Sequence, residues 1–427
     1  MPQRILNFIK KPTSKQVIIN TIGNYLNVFF TALFALMLVR ILSPSQYGVL
    51  SVLLGIAYVL ANILDFGVSA TIYSYLPPMI EARAENLYRF LKSTFFYQTL
   101  FSAIVIFLLF WTFPYLDRVF FKTGAPWWEL YLTTFSVLFL LWQNYGLNSL
   151  FAAKRFLSAN LYLNLSNLIK TALIFLLYYL KLINVGSIIF VFGILGPIIF
   201  FIFLFFEKKH IFYKIARAEV KKEEFRFGYT MTYFFASQFF NLGTRMDLFL
   251  LSYFRSKTEV GYYGLASKII LTLLASITSI TQVLSPAFSR AKTKKEIRSL
   301  FKTGFMYLLI PAGLFLLLFL TPNEVFYFVF TKKFAQTAAI TKAISRPYII
   351  YALGNLPLLY VLYTIKKPSI ILISNIIFFV IMTAGCYYLI PIKGVFGPPL
   401  AIFLALYLSV FYLSLTALLE YKNGHFG

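Results

Sequence analysis

The chain has 427 residues, 60% of them hydrophobic and 12% charged, with a formal net charge of +25. Ordinary globular domains are about half apolar and a quarter charged, so this balance excludes a soluble fold and points to a lipid bilayer as the solvent. A basic excess can mark a nucleic-acid partner, but here the cations fall in short linkers between apolar runs, where they set orientation and meet lipid headgroups.

A membrane-spanning helix needs roughly 20 apolar residues. Runs of that size lie near 17–39, 48–76, 94–115, 127–152, 157–180 and 184–206, and again near 229–253, 260–288, 305–330, 347–365, 369–391 and 395–419. The expected fold is all-α and integral to the membrane, with about twelve transmembrane helices. The first run is too long for a cleaved signal peptide and lacks a small-residue cleavage site, so it is expected to stay in the mature protein. Residues 1–206 form an N-terminal six-helix bundle, 207–228 a basic cytoplasmic linker, and 229–427 a C-terminal six-helix bundle.

The linkers check this parse. Alternate linkers and the two termini carry 25 Lys and Arg residues, the opposite set 11, and three cations lie inside spans. Such asymmetry predicts an even number of crossings with both termini cytoplasmic. The halves also resemble each other: the segment around Tyr47-Gly48 can be laid on that around Gly261-Tyr262, the two glycines being 213 residues apart. Paired repeats are common in transporters.

Polar residues inside the spans carry the functional reading. Asn20, Asn24, Asn27 and Thr31 recur at steps of four, three and four along one helix face, and Asn160, Asn164, Asn167 and Thr171 repeat the spacing in the fifth run. Gln238, Asn241 and Arg245 continue the theme in the seventh; Ser51, Tyr58, Asn62, Asp65 and Ser69 form a stripe in the second, and Lys268, Thr272, Ser279 and Gln282 in the eighth. Any single Asn reads first as a helix-packing residue. Charges are less easily dismissed, since Lys170, Arg245, Lys268, Asp65 and Asp247 each cost about 2.5 to 3.5 kcal/mol at a bilayer centre and must face one another or water. Arg245 and Asp247, two residues apart, point different ways and are expected to find partners on different helices. The excess of cations suits an anionic passenger such as phosphate.

The sequence has no G-x-x-x-x-G-K-[ST] phosphate loop, no G-x-S-x-G nucleophile elbow and no His or Cys cluster at metal-ligand spacing, so neither an enzyme nor a metal or other cofactor is expected. His210 and His425 lie in a linker and the tail, and the single Cys386 reads as a packing residue.

Arg40-Ile-Leu42-Ser-Pro44-Ser-Gln-Tyr47-Gly48, followed by Asp65-Phe66-Gly67, resembles the opening signature of the bacterial polysaccharide transporters, the Wzx-type O-antigen flippases. Val260-Gly261-Tyr262-Tyr263 with Ala266 and Lys268, then Pro286 and Ser289, resembles that family's second-half signature. The resemblance implies two six-helix bundles around a V-shaped central cavity lined by cations, working by alternating access. The implied passenger is an oligosaccharide on undecaprenyl pyrophosphate, moved across the bacterial cytoplasmic membrane for O-antigen, capsule or exopolysaccharide synthesis. Membrane lipids and the polymerase and chain-length machinery are the further partners. Arg245 and Lys268 would then meet the pyrophosphate or acidic sugars and Asn24, Asn27, Gln238 and Asn241 the sugar hydroxyls, with Lys170 and Asn164 as further cavity candidates. Asp65, Asp247 and Glu324 are candidates for ion coupling. Two alternatives stand beside this reading: a cation-coupled multidrug exporter of the same superfamily, expected to carry more acids than bases, and a membrane glycan polymerase or ligase, expected to carry a long outward loop with Arg and His.

Overall fold

The computed structural model describes residues 12–423 apart from Lys292 and Lys366. His425 lies outside the described residues, as do the side chains of Ser279, Gln282, Pro286 and Ser289. Among the described residues there is no strand. Helices run in the order α1 (Pro12–Ile41), α2 (Pro44–Ile63), α3 (Val68–Glu81), α4 (Leu87–Leu116), α5 (Trp127–Ala152), α6 (Phe156–Tyr179), α7 (Val185–Phe190) and α8 (Gly196–Arg217). They continue as α9 (Phe227–Phe254), α10 (Lys257–Arg290), α11 (Lys294–Leu320), α12 (Asn323–Phe330), α13 (Gln336–Leu359), α14 (Pro368–Lys393) and α15 (Gly397–Asn423).

Large apolar side chains stand outward along these helices, among them Trp111 (70% exposed) and Phe328 (87%). In water such a surface would aggregate, whereas in lipid it is the ordinary exterior. The protein is an all-α, multi-pass membrane protein. By length and apolarity nine segments among the described residues qualify as spans, against the twelve expected from the sequence. The difference has physical causes. Ser369–Asn423 counts once although α14 and α15 are separate helices joined by the turn Gly394–Phe396. Helices α5 and α9 are long enough but less apolar, α5 through its Trp, Tyr, Asn and Gln residues and α9 through Arg245, Asp247 and its Ser, Thr and Tyr residues.

The chain divides into two compact units. The first comprises residues 1–34, 53–118 and 124–236, and the second 35–52, 119–123 and 237–427. In the first unit α5 packs on α3 and α4, and α6 on α8. Its core joins Ala57 and Ala61 of α2, and Leu64 just after it, to Val137, Leu140 and Leu141 of α5. The apolar run expected over 48–76 is broken in two at Asp65-Phe66-Gly67. Gly67 has φ +80°, a left-handed conformation natural to glycine, and a Cβ there would overlap the Thr230 carbonyl oxygen. The Asp65 carboxylate accepts from Ser69 N (3.0 Å), Ser69 Oγ (2.8 Å) and Gln98 Nε2 (2.9 Å), so it satisfies the amide end of α3 and anchors it to α4.

In the second unit α14 packs on α15 and α13 on α10, α11 and α15. The glycines of the two related segments meet here. A Cβ on Gly48 would overlap the Lys257 carbonyl oxygen, and one on Gly261 would overlap the Pro44 carbonyl oxygen. Each glycine thus faces the first residue of the other helix. Both helix starts are capped in the same way, Ser43 with Gln46 and Ser256 with Glu259. Ser51 lies against Gly264, with its Oγ 2.6 Å from where a Cβ would sit. All these pairs obey the 213-residue offset read from the sequence, which gives the starts of α2 and α10 a local two-fold relation.

Candidate functional site

Helix α9 carries Gln238, Asn241 and Arg245 at intervals of three and four, so one face is polar over two turns. Its C-terminal part is held against α14, with Phe240 on Phe378 (5.6 Å between ring centroids) and Gly243 leaving room for the Phe378 ring. Arg245 is half-buried, and Lys268 of α10 is half-buried beside it, close enough for the two cations to act on each other electrostatically. Among the described residues neither side chain has a hydrogen-bond or ion-pair partner. The second unit therefore holds two like charges together with no carboxylate paired to either, although Asp247 is within electrostatic reach of Arg245.

Partners on different helices were expected for Arg245 and Asp247, but Asp247 is bonded to α10, the helix that also carries Lys268. Tyr263 Oη of α10 donates to Asp247 Oδ2 at 2.5 Å, and the Leu248 amide donates to Oδ1 at 2.7 Å. The carboxylate is buried and Tyr263 wholly so. Tyr348 of α13, stacked on Phe315, lies in the same electrostatic neighbourhood as Arg245 and Asp247, and the buried Cys386 lies within electrostatic reach of Asp247. Tyr263 and Tyr348 were not singled out as site residues from sequence. A tyrosine among apolar residues reads as lipid-facing, and the only signal was the Gly261-Tyr262-Tyr263 signature itself. Tyr263→Phe is expected to leave a buried carboxylate oxygen unpaired and to lower stability by roughly 1–3 kcal/mol. The thermal midpoint in detergent should fall for Tyr263→Phe and stay put for Tyr262→Phe.

Of the remaining candidates all but Glu324 belong to the first unit. Lys170 belongs to the first unit, buried, with its ammonium 5.8 Å from the Phe34 ring centroid and 5.4 Å from that of Phe192. The two asparagine stripes of that unit face each other. Asn160 Nδ2 donates to Asn20 Oδ1 (3.1 Å), Asn164 Nδ2 to the Gly23 carbonyl (3.1 Å), and Asn167 Nδ2 to Asn27 Oδ1 (2.8 Å). Gly23 has no room for a Cβ because Asn160 fills that space. These amides form a ladder between α1 and α6, which gives Asn27 and Asn164 a packing role. Asn24, on the same face, is half-buried and outside the ladder. Asp65 is committed to the break between α2 and α3, and Glu324 is exposed in the first turn of α12.

Several solved structures have this fold. The lipid II flippase MurJ, in an inward closed conformation, is 17% identical over 96% of this chain and 89% of its own, with a TM-score of 0.71. An inward-facing multidrug resistance MATE family transporter of the MOP superfamily is 14% identical over 96% and 98%, with a TM-score of 0.74. A MOP superfamily transporter from Pyrococcus furiosus, described as having a binding pocket of reversed polarity, is 13% identical over 97% and 98%, with a TM-score of 0.62. At these identities the likeness establishes the fold alone. No curated protein matches the chain in sequence. The sequence model of the polysaccharide biosynthesis protein family matches residues 13–292, and the chain belongs to that family.

Proposed function

We propose that this protein is a flippase that moves an undecaprenyl-pyrophosphate-linked oligosaccharide across the bacterial cytoplasmic membrane by alternating access. The observation that carries this reading is that Arg245 and Lys268 lie within electrostatic reach of each other and that neither is bound to a carboxylate among the described residues. Two adjacent cations in a membrane are costly until an anion joins them, and a pyrophosphate supplies the charge and the acceptor oxygens. Gln238 and Asn241, on the face of α9 that ends in Arg245, are assigned to sugar hydroxyls, and Asn24 to a further one. Of the three carboxylates considered for ion coupling we assign the role to Asp247, because Arg245 acts on it electrostatically whereas Asp65 is taken up in helix capping. The asymmetry of Lys and Arg between linkers supports cytoplasmic termini.

A multidrug exporter of similar fold is the second reading, favoured by the TM-score of 0.74. Removing the protein separates the two. The flippase reading expects lipid-linked oligosaccharide to accumulate in the inner leaflet while surface polysaccharide is lost. Intact surface polysaccharide with altered drug susceptibility would instead identify an exporter. Chain elongation by the purified protein would identify a polymerase.

A further inference from the structure

Where the start of α11, the end of α13 and the last turns of α15 meet, the second unit has an open groove of about 480 Å³. Its size is that of a cleft for one small ligand or chain, about 300–1,000 Å³. The walls are mainly apolar, with Ile297, Phe301, Pro357 and Leu418. Arg298 lines the groove, is exposed, and has no hydrogen-bond or ion-pair partner for its guanidinium among the described residues. Lys294, one turn earlier on the same helix face, places its ammonium 5.7 Å from the Tyr421 ring centroid. The nearby carboxylate of Glu420 is paired with Lys367 at 2.7 Å. It is therefore engaged elsewhere than with Arg298.

Deeper in the same groove lies Tyr360, 1% exposed, packed edge-on against Phe301 at 5.8 Å. Among the described residues its hydroxyl has no hydrogen-bond partner. Tyr360 opens a widened π-type turn, Tyr360–Ile365, three residues after Pro357. Such turns interrupt the regular helix and are frequent at functional sites. A buried hydroxyl with no acceptor costs free energy that an acceptor in the groove would recover.

We propose that this groove binds an anionic phospholipid of the surrounding membrane. Its phosphate sits on Arg298, an ester carbonyl oxygen accepts from the Tyr360 hydroxyl, and an acyl chain lies along Phe301, Pro357 and Leu418. Charge complementarity selects the occupant. The guanidinium of Arg298, with the ammonium of Lys294 one turn away, makes the mouth of the groove cationic, which matches the phosphate diester of an anionic lipid. The assignment is independent of what the protein transports.

The test uses the full-length protein reconstituted in bilayers of equal phosphatidylglycerol and phosphatidylcholine, extracted gently in detergent, with the co-purifying lipids quantified by mass spectrometry. Phosphatidylglycerol is expected to be enriched on the wild-type protein. Arg298→Gln should lower the ratio of the two lipids by about fivefold, the weight of one basic side chain against an anionic lipid surface. Tyr360→Phe, which keeps the ring and its packing, should lower retention of both lipids with the thermal midpoint of the lipid-free protein unchanged or raised. Equal retention of the two lipids by the wild-type protein, or variants indistinguishable from it, would overturn the proposal. So would displacement of phosphatidylglycerol by added undecaprenyl phosphate, which would assign the groove to the carrier.

Discussion

Replacing Arg245 and Lys268 together by alanine is expected to abolish flipping while leaving the amount of protein in the membrane the same or higher. Each cation bound to a phosphate oxygen contributes about 1.5–3 kcal/mol, so losing both should lower transport of the lipid-linked oligosaccharide by roughly a hundredfold or more, at tenfold per 1.4 kcal/mol. The abundance half of the expectation separates function from architecture. A cation held by a structural carboxylate destabilises the fold when its partner is left alone. These two repel each other and have no ion-pair partner among the described residues, so removing them relieves a cost. Lys268→Arg should retain most activity and Arg245→Lys less, because only the guanidinium offers two parallel donors to one phosphate. The readout is the leaflet distribution of the lipid-linked oligosaccharide, with protein quantified in parallel. Unchanged transport in the double variant would remove the cationic pair from the mechanism.

Alanine at Gly48 or at Gly261 is expected to be among the most disruptive single-methyl changes in the molecule. Both added Cβ atoms would run into a carbonyl oxygen at the rigid first turn of another helix, Lys257 in one case and Pro44 in the other. Overpacking commonly costs about 1–3 kcal/mol where side chains can move aside. Here the obstacle is backbone, so the upper end of that range applies and protein abundance should fall several-fold. The reciprocal geometry makes a sharper demand. Once one methyl has forced α2 and α10 apart, the second meets less resistance, so the double variant should lose clearly less than the sum of the two single losses. Thermal midpoints of the four proteins in detergent give the coupling directly. Full tolerance of alanine at both positions would contradict the contact.

The class of the fold was legible because it rests on composition and apolar run length, which need no tertiary information. The 213-residue offset was also present in the sequence, but only contacts reveal that Gly48 and Gly261 meet the opposite helix starts. The asparagine stripes were seen and their partners missed. Asn20 and Asn27 differ from Asn160 and Asn167 by the same 140 residues, and that equal register was the available sign that the two faces are complementary. A stripe identifies a face that avoids lipid without saying whether a helix or a passenger covers it. Charge and cost named Arg245, Lys268 and Lys170 together as lining one cavity, without saying which would be neighbours; the approach of Arg245 to Lys268 and the engagement of Asp247 by Tyr263 both needed the packing of α9 on α10.

The amide ladder between α1 and α6 has a mechanical consequence. Three rungs spaced along two turns, one of them to a backbone carbonyl, resist sliding as well as separation. A shift of α1 by one residue would break every rung at once, with little water inside a bilayer to replace the lost partners. Whatever conformations the protein visits, the stretch Asn20–Asn27 and helix α6 must travel together as a single strut, and bending has to be taken up beyond its ends.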